Sequence, residues 1–130
     1  ANNTDKAPSN SLSTQTVAFS HYNHISAQLG IDPSSGKMAA GGVQGQARQC
    51  LKNIKAIVES INHAMEDVVK INIAVKNIAD MGAVDGVYAT FFPGGVPARR
   101  TVGVSALPKD ALIQIDAVVS NAEGTPPKKA

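Results

Sequence analysis

Two short strand patterns joined by a proline-marked turn, within Val96 to Asp116, constrain the fold more than any other part of the chain. Side chains of an extended strand alternate between the two faces of a sheet. In the first strand Arg99, Thr101 and Gly103 therefore point to one face. The opposite face of that strand is apolar apart from one guanidinium, and it carries Arg100, Val102 and Val104.

The second strand has an apolar row on one face, formed by Ile113, Ile115, Ala117 and Val119. Its other face carries Gln114 and Asp116 beside Leu112 and Val118. Apolar rows of neighbouring strands pack on a common core, so we expect the polar rows to share a surface as well. The guanidinium of Arg99 is then expected on the face that carries Gln114 and Asp116.

The rest of the chain predicts a hairpin, two helices and one further strand. Thr16 to Phe19 and Tyr22 to Gln28 form the hairpin, and Val69 to Val75 alternates as a half-buried strand does. A first helix follows from three-and-four spacing of apolar residues, namely Val43, Ala47, Leu51, Ile54, Ile57 or Val58, and Ile61. The second helix has Asp80 as its N-cap and ends at Pro93-Gly94-Gly95; its apolar stripe is Met81, Val84, Tyr88 and Phe91.

This order of elements predicts an α+β fold, a two-layer sandwich of one mixed β-sheet covered by two helices. The sheet then has one face without helices, and Gly103, Leu112 and Val118 among its polar groups favour oligomerisation. We expect a single domain at residues 11–120, with flexible polar tails at residues 1–10 and 121–130.

Composition narrows the class of protein. The chain has 130 residues, a net charge of +2 and no apolar run of the roughly 18 residues that span a bilayer. We therefore expect no membrane insertion and no electrostatic attraction to nucleic acid, and the cytoplasm is the default compartment. Cys50 lies in the apolar pattern of the first helix, which predicts a core residue rather than a nucleophile.

The histidines do not predict a metal site. His21 and His24 are three residues apart, which puts them on opposite sides of a strand and favours a surface role. His63 follows the first helix, where we expect it to complement the helix dipole or to meet solvent.

Several motifs occur in one register: Pro97-Ala98-Arg99 with Thr101 and Val102, Leu107 to Asp110, Gln46 to Gln49, Asn53 to Glu59, Tyr88 and Phe91-Phe92. Together they resemble the YjgF/Rid family of small enamine and imine deaminases. The resemblance covers roughly residues 11 to 120. It implies a chorismate-mutase-like fold and a homotrimer whose sheets face inward, with ligand sites in the clefts between subunits.

The resemblance also implies roles for individual residues. Arg99 corresponds to the arginine that clamps the substrate carboxylate, and Thr101 preserves a hydroxyl donor. Gln114 stands where the deaminases usually have a glutamate, so it can orient a water molecule but cannot accept its proton. At the remaining substrate-binding positions the side chains differ from the family pattern: Ser13 replaces a tyrosine, Ala27 a glycine and Asp85 a frequent asparagine.

Two functions follow from this pattern. One is hydrolysis of 2-imino acids to 2-keto acids and ammonia, which needs no metal or cofactor. The other is a non-catalytic trimer that binds a small carboxylate such as a keto acid, as a sensor or regulator would. A trimer that serves only as an interaction module is a third interpretation. RNA cleavage ranks low because the chain lacks tryptophan and any basic and aromatic interleaving.

Overall fold

The computed structural model describes residues 2–19, 21–93 and 97–120. It contains five strands and two helices: β1 Thr16–Phe19, β2 Tyr22–Gln28, α1 Gly42–Ser60, β3 Val68–Val75, α2 Met81–Phe91, β4 Ala98–Gly103 and β5 Ile113–Ser120. The predicted strands and helices are confirmed, with ends that differ by a residue or two. The predicted tail at 121–130, and Gly94, Gly95 and Val96, lie outside the described residues.

The five strands form one mixed sheet in the order β1-β2-β5-β3-β4. β3 and β4 are parallel, because α2 returns the chain between them, and the other neighbours are antiparallel. Both helices contribute to a continuous core with the inner rows of the sheet, and the fully buried members of that core include Leu51, Ile54, Ile71, Ile73, Ile113 and Ile115. This confirms the two-layer α+β sandwich.

Cys50 lies in that core, as the sequence predicts. Its side chain is fully buried, and its thiol donates to the carbonyl oxygen of Gln28 at 3.2 Å. Burial raises the pKa of the thiol to about 12, because the thiolate would be desolvated there. Cys50 is therefore a structural residue and an inert one at neutral pH.

Two polar residues on the buried face of α1 were not predicted from periodicity. Asn53 donates from Nδ2 to the carbonyl oxygens of Leu29 and Ile31, at 3.3 and 3.0 Å. The Oε1 atom of Gln46 accepts from the backbone N–H of Leu112 at 2.8 Å. These amides satisfy backbone groups that burial would otherwise leave unpaired. They also tie the segments after β2 and before β5 to α1.

Residues 2–10, which the sequence predicts to be a flexible tail, contact the domain. The buried side chain of Gln15 holds this segment, because its Nε2 donates to the carbonyl oxygens of Thr4, Ala7 and Pro8 at 2.9, 3.1 and 2.9 Å. Ala7 is itself buried. The flexibility of the segment in solution stays a prediction, but its contacts bring Pro8, Ser9 and Asn10 to the rim of a cavity described below.

The prediction that His63 meets solvent was wrong, whereas the alternative that it complements the helix dipole stays a prediction. His63 is buried, with 4% of its surface exposed, and its Nδ1 lies 2.9 Å from Oδ2 of Asp67. The same carboxylate oxygen accepts from the backbone N–H of Ala64. A short 3-10 turn at Met65–Asp67 brings the carboxylate back to Nδ1 of His63, which the helix pattern alone does not reveal. His21 and His24 are exposed.

In the described ranges 2–19, 21–93 and 97–120, neither helix is long and apolar enough to cross a bilayer. Across the part of the chain that the structure describes, no three His, Cys, Asp or Glu side chains gather in an arrangement that could hold a metal ion.

Candidate functional site

Arg99 lies on the helix-covered side of the sheet, so the expectation that it shares a surface with Gln114 was wrong. In the parallel pairing of β3 with β4, Arg99 is opposite Ile71 and Thr101 is opposite Ile73, both of which are buried core residues. Gln114 is opposite Ala74, on the other face of β3. The side chains of Arg100 and Val102, which the sequence suggested for the core face, therefore lie on the face without helices.

The edge position of β4 explains how a charged residue occupies the core face. β4 is the last strand of the sheet, and side chains of α2 contact Arg99 there. The guanidinium carbon of Arg99 lies 4.9 Å from the ring centroid of Tyr88 on α2, a cation–π contact. An arginine side chain at such an edge buries its aliphatic part and keeps its charged group accessible.

Asp85, also on α2, pairs directly with this arginine. Nη1 of Arg99 donates to Oδ1 of Asp85 at 2.7 Å, and the two side chains are 29% and 47% exposed. Thr101 follows Arg99 on the same face of β4 and is partly buried. Together with Tyr88 these residues form a group that we call the arginine edge: Asp85, Tyr88, Arg99 and Thr101.

Tyr88 is the buried base of the arginine edge. It is only 5% exposed, and its ring also contacts that of Phe92 at a centroid distance of 4.8 Å. Burial raises the pKa of its hydroxyl, an effect that the nearby Arg99 charge reduces. Within the described residues this hydroxyl has no hydrogen-bond partner. The Tyr88 position was part of the sequence resemblance, but nothing in the sequence indicated its stacking on Arg99.

Ser13, Ala27 and Gln114 come together at a different place. They line a cavity of about 310 Å³ with Asn10, Gln28 and Lys109 among others, and we call this the amide cavity. A turn after Asn10 positions Ser13. The backbone N–H of Ser13 donates to Oδ1 of Asn10 at 3.2 Å. The pairing of β2 with β5 shifts between Ile25 and Gln28, and this irregularity directs Ala27 towards the cavity.

Lys109 is a member of the amide cavity that sequence reasoning missed as a functional residue. It belongs to the short 3-10 turn Pro108–Asp110 before β5, and its backbone is left-handed, with φ of 58°. Left-handed backbone in a non-glycine residue is uncommon and often marks a functional turn. The Leu107 to Asp110 motif was the available signal, although only as part of the resemblance.

The six predicted site residues therefore fall into two groups within one chain. Arg99, Thr101 and Asp85 belong to the arginine edge, on β4 and α2. Ser13, Ala27 and Gln114 belong to the amide cavity, and β3 separates Gln114 on β5 from Arg99 on β4. A larger groove of about 1010 Å³ runs past Lys55, Glu59 and Phe91, and among the described residues none of the six lines it.

The face of the sheet without helices is partly apolar. Val17 and Tyr22 are 44% and 46% exposed, and strand register places them on the face that also carries Val118, Ala74 and Gln114. The polar groups there include a cross-strand hydrogen bond of 2.8 Å from Asn72 Nδ2 to Asp116 Oδ1. An exposed apolar sheet face of this kind is typical of an interface.

Fold and site together define a class: small α+β domains with a chorismate-mutase-like sheet, one face of which is free of helices. The chain belongs to the YjgF/Rid family, since a family model described as Endoribonuclease L-PSP matches residues 4–121. This confirms the resemblance drawn from the motifs around Arg99.

Relatives of known name and structure support the same family. The 2-iminobutanoate/2-iminopropanoate deaminase of Rattus norvegicus is 39% identical over 116 residues, which cover 88% of this chain and 85% of the relative. The crystal structure of RidA from an Antarctic Psychrobacter has a TM-score of 0.86 and 34% identity, covering 91% of this chain and 96% of that one. Escherichia coli TdcF, solved with bound serine, has a TM-score of 0.87 and 31% identity, covering 92% and 97%.

Proposed function

We propose that this protein hydrolyses small 2-imino acids to 2-keto acids and ammonia, in clefts between the subunits of a homotrimer. The observation that carries the proposal is the guanidinium of Arg99, which is exposed at a sheet edge and held in place by Tyr88 and Asp85. A planar guanidinium binds a carboxylate through two parallel hydrogen bonds and so orients the bound acid. Relatives named as imine deaminases support this choice of acid.

The reaction adds one water molecule across the C=N bond of the imino acid. The water oxygen bonds to C2, the C–N bond breaks, and the nitrogen leaves as ammonia with the water protons, so that a keto acid remains. Holding the acid and one water in reacting geometry supplies much of the rate gain for such a step. No redox change occurs, and the described residues need only bind, orient and hydrogen-bond.

A site shared between subunits accounts for the separation of the two groups of residues. Arg99 and Gln114 lie on different strands and on different faces of the sheet. Within one subunit, the two side chains therefore cannot both contact the same small ligand. If the open sheet face packs against neighbouring copies, the arginine edge of one subunit can lie beside the amide cavity of the next. The exposed residues Val17 and Tyr22, with the half-buried Val118 on the same face, support burial of that face.

Gln114 then orients the water rather than deprotonating it. A side-chain amide donates and accepts hydrogen bonds but has no useful basicity at neutral pH. General base catalysis contributes typically about 10²- to 10⁴-fold, so this chain is expected to be slower than a relative with a carboxylate there. Thr101 contributes a hydroxyl at the arginine edge.

A second candidate function is non-catalytic binding of a small keto acid. One observation favours it: the amide of Gln114 stands in place of a base. In this case the anion clamp is retained as a sensor or regulatory site. The cytoplasmic location stays a prediction in either case.

The test measures disappearance of 2-iminobutanoate, formed in situ from threonine by a dehydratase. Wild-type protein is expected to accelerate hydrolysis above the buffer rate, and Gln114→Glu is expected to be about tenfold to a hundredfold faster, because it restores a proton acceptor. Gln44→Glu is the matched control, since Gln44 is exposed on α1. A wild-type rate equal to that of buffer would contradict the hydrolase proposal. If Gln114→Glu were active in that case, the result would support the binding function.

A further inference from the structure

The ion pair between Asp85 and Arg99 bears on which carboxylic acids this site accepts. Of the atoms in the Arg99 fork, Nη1 is occupied by Oδ1 of Asp85 at 2.7 Å. Within residues 2–19, 21–93 and 97–120 this carboxylate is the one hydrogen-bond partner of the guanidinium. The other N–H donors of Arg99 therefore remain available to a second anion.

We propose that Asp85 makes the site selective for zwitterionic acids, in which a carboxylate lies next to a protonated nitrogen on C2. The proposal rests on the role of Arg99 as the carboxylate clamp. In this arrangement the ligand carboxylate binds the free side of the Arg99 fork, and the iminium or ammonium group on the adjacent carbon faces the carboxylate of Asp85. The four charges then alternate in sign around the site.

The opposite charges of Arg99 and Asp85 favour such a ligand over a simple anion. A keto acid brings one negative charge beside Asp85, and like charges at close range oppose binding. A zwitterion brings its negative group to Arg99 and its positive group to Asp85, so both protein charges gain a partner. Asp85 is 47% exposed, which moderates the effect through solvent screening without removing it.

Tyr88 keeps the two charged side chains in this relation. Its ring supports the guanidinium at 4.9 Å, and both Tyr88 and Asp85 belong to α2. Arg99 therefore remains beside Asp85 rather than swinging into solvent. The hydroxyl of Tyr88 is buried and has no hydrogen-bond partner in the described part of the chain. The arginine edge therefore contains one hydrogen-bonding group that the described residues leave unsatisfied.

Isothermal titration calorimetry with 2-aminobutanoate and 2-ketobutanoate tests the proposal, because these acids share a carbon skeleton and differ in the charge at C2. We expect wild-type protein to bind 2-aminobutanoate more tightly. In Asp85→Asn the ratio of the two affinities is expected to shift towards 2-ketobutanoate by about fivefold to tenfold, where tenfold corresponds to about 1.4 kcal/mol. Asp80→Asn is the matched control at the start of α2, where the Asp80 side chain makes no capping hydrogen bond.

The outcomes separate this proposal from the one on which it rests. An unchanged ratio of the two affinities in Asp85→Asn would overturn selectivity for zwitterions. This includes an equal gain for both acids, which would mean that Asp85 only competes for Arg99. If Arg99→Ala bound both acids as tightly as wild type does, the role of Arg99 as the carboxylate clamp would be contradicted. Loss of both acids in Arg99→Ala, together with the shifted ratio in Asp85→Asn, supports both proposals.

Discussion

Replacement of Arg99 with alanine is expected to lower kcat/KM for 2-iminobutanoate by about thirtyfold to several thousandfold, since truncating a charged clamp typically costs about 2–5 kcal/mol. In the proposed mechanism the guanidinium fixes the carboxylate and thereby orients C2 towards the attacking water. Its loss also leaves Asp85 unpaired beside the incoming anion. Steady-state rates of keto-acid formation measure the effect.

Two further variants make this result specific. Arg48→Ala removes an exposed arginine from the solvent side of α1 and is expected to keep the wild-type kcat/KM. Arg99→Lys keeps the charge but loses the planar fork, so we expect activity between those of wild type and Arg99→Ala. Equal activity of Arg99→Ala and Arg48→Ala would exclude Arg99 as the clamp.

Gly45→Ala is expected to lower the free energy of unfolding by about 2–4 kcal/mol, the range of severe overpacking. Gly45 lies in the first turn of α1, where the chain before the helix passes very close. A methyl group on Gly45 would overlap the carbonyl oxygen of Ala40 and lie 2.8 Å from its carbonyl carbon. Both contacts are with backbone, so a side-chain rotation cannot relieve them. Urea denaturation followed by circular dichroism measures the change.

Gly82→Ala is the control for that substitution, because Gly82 is also a helical glycine. No atom lies within 4 Å of where its methyl group would be, apart from the local helix backbone. Here alanine is expected to stabilise the chain by up to about 1 kcal/mol through helix propensity. If Gly45→Ala were as stable as Gly82→Ala, the close approach of Ala40 to α1 would be wrong.

The elements of this fold follow well from sequence because each has a clear periodicity. Alternation in Tyr22 to Gln28 and in Ile113 to Ser120, and three-and-four spacing in α1, give strand and helix positions within a residue or two. The buried Cys50 follows from the same spacing. Such patterns show which face of an element is buried. They do not show whether that face is covered by this chain or by another.

That ambiguity explains why the face of β4 was assigned incorrectly. Val102 and Val104 look like core residues beside Arg99, yet the core face of this edge strand carries Arg99 over Tyr88. An apolar residue on the open face is consistent with the proposed contact between subunits. His63, Gln46 and Asn53 are further misses, because a polar residue becomes a core residue only when a distant group supplies its hydrogen bond.

The candidate site residues come from the resemblance, and their roles stay predictions. The motif around Arg99 suggests a carboxylate clamp, and Gln114, Ser13 and Ala27 follow from the same register, but the sequence does not give their arrangement. Their division between two places depends on strand order, because β3 is inserted between β5 and β4. The ion pair of Asp85 with Arg99 joins residues on α2 and β4, and no local pattern encodes it.

The central claim, that each site combines the arginine edge of one subunit with the amide cavity of the next, is tested by mixing two inactive variants. Arg99→Ala removes the clamp, and Ala27→Trp fills the amide cavity, which does not include the arginine edge of the same chain. The two chains carry different affinity tags, are expressed together, and are purified through both tags, so that every trimer contains both variants. In a cyclic trimer of either mixed composition, one of the three clefts has both parts intact.

We therefore predict that each variant alone is inactive and that the mixed trimers recover about a third of the wild-type rate. Mixed assemblies that form three-subunit particles, as light scattering would show, and that remain as inactive as either parent would contradict a site shared between subunits.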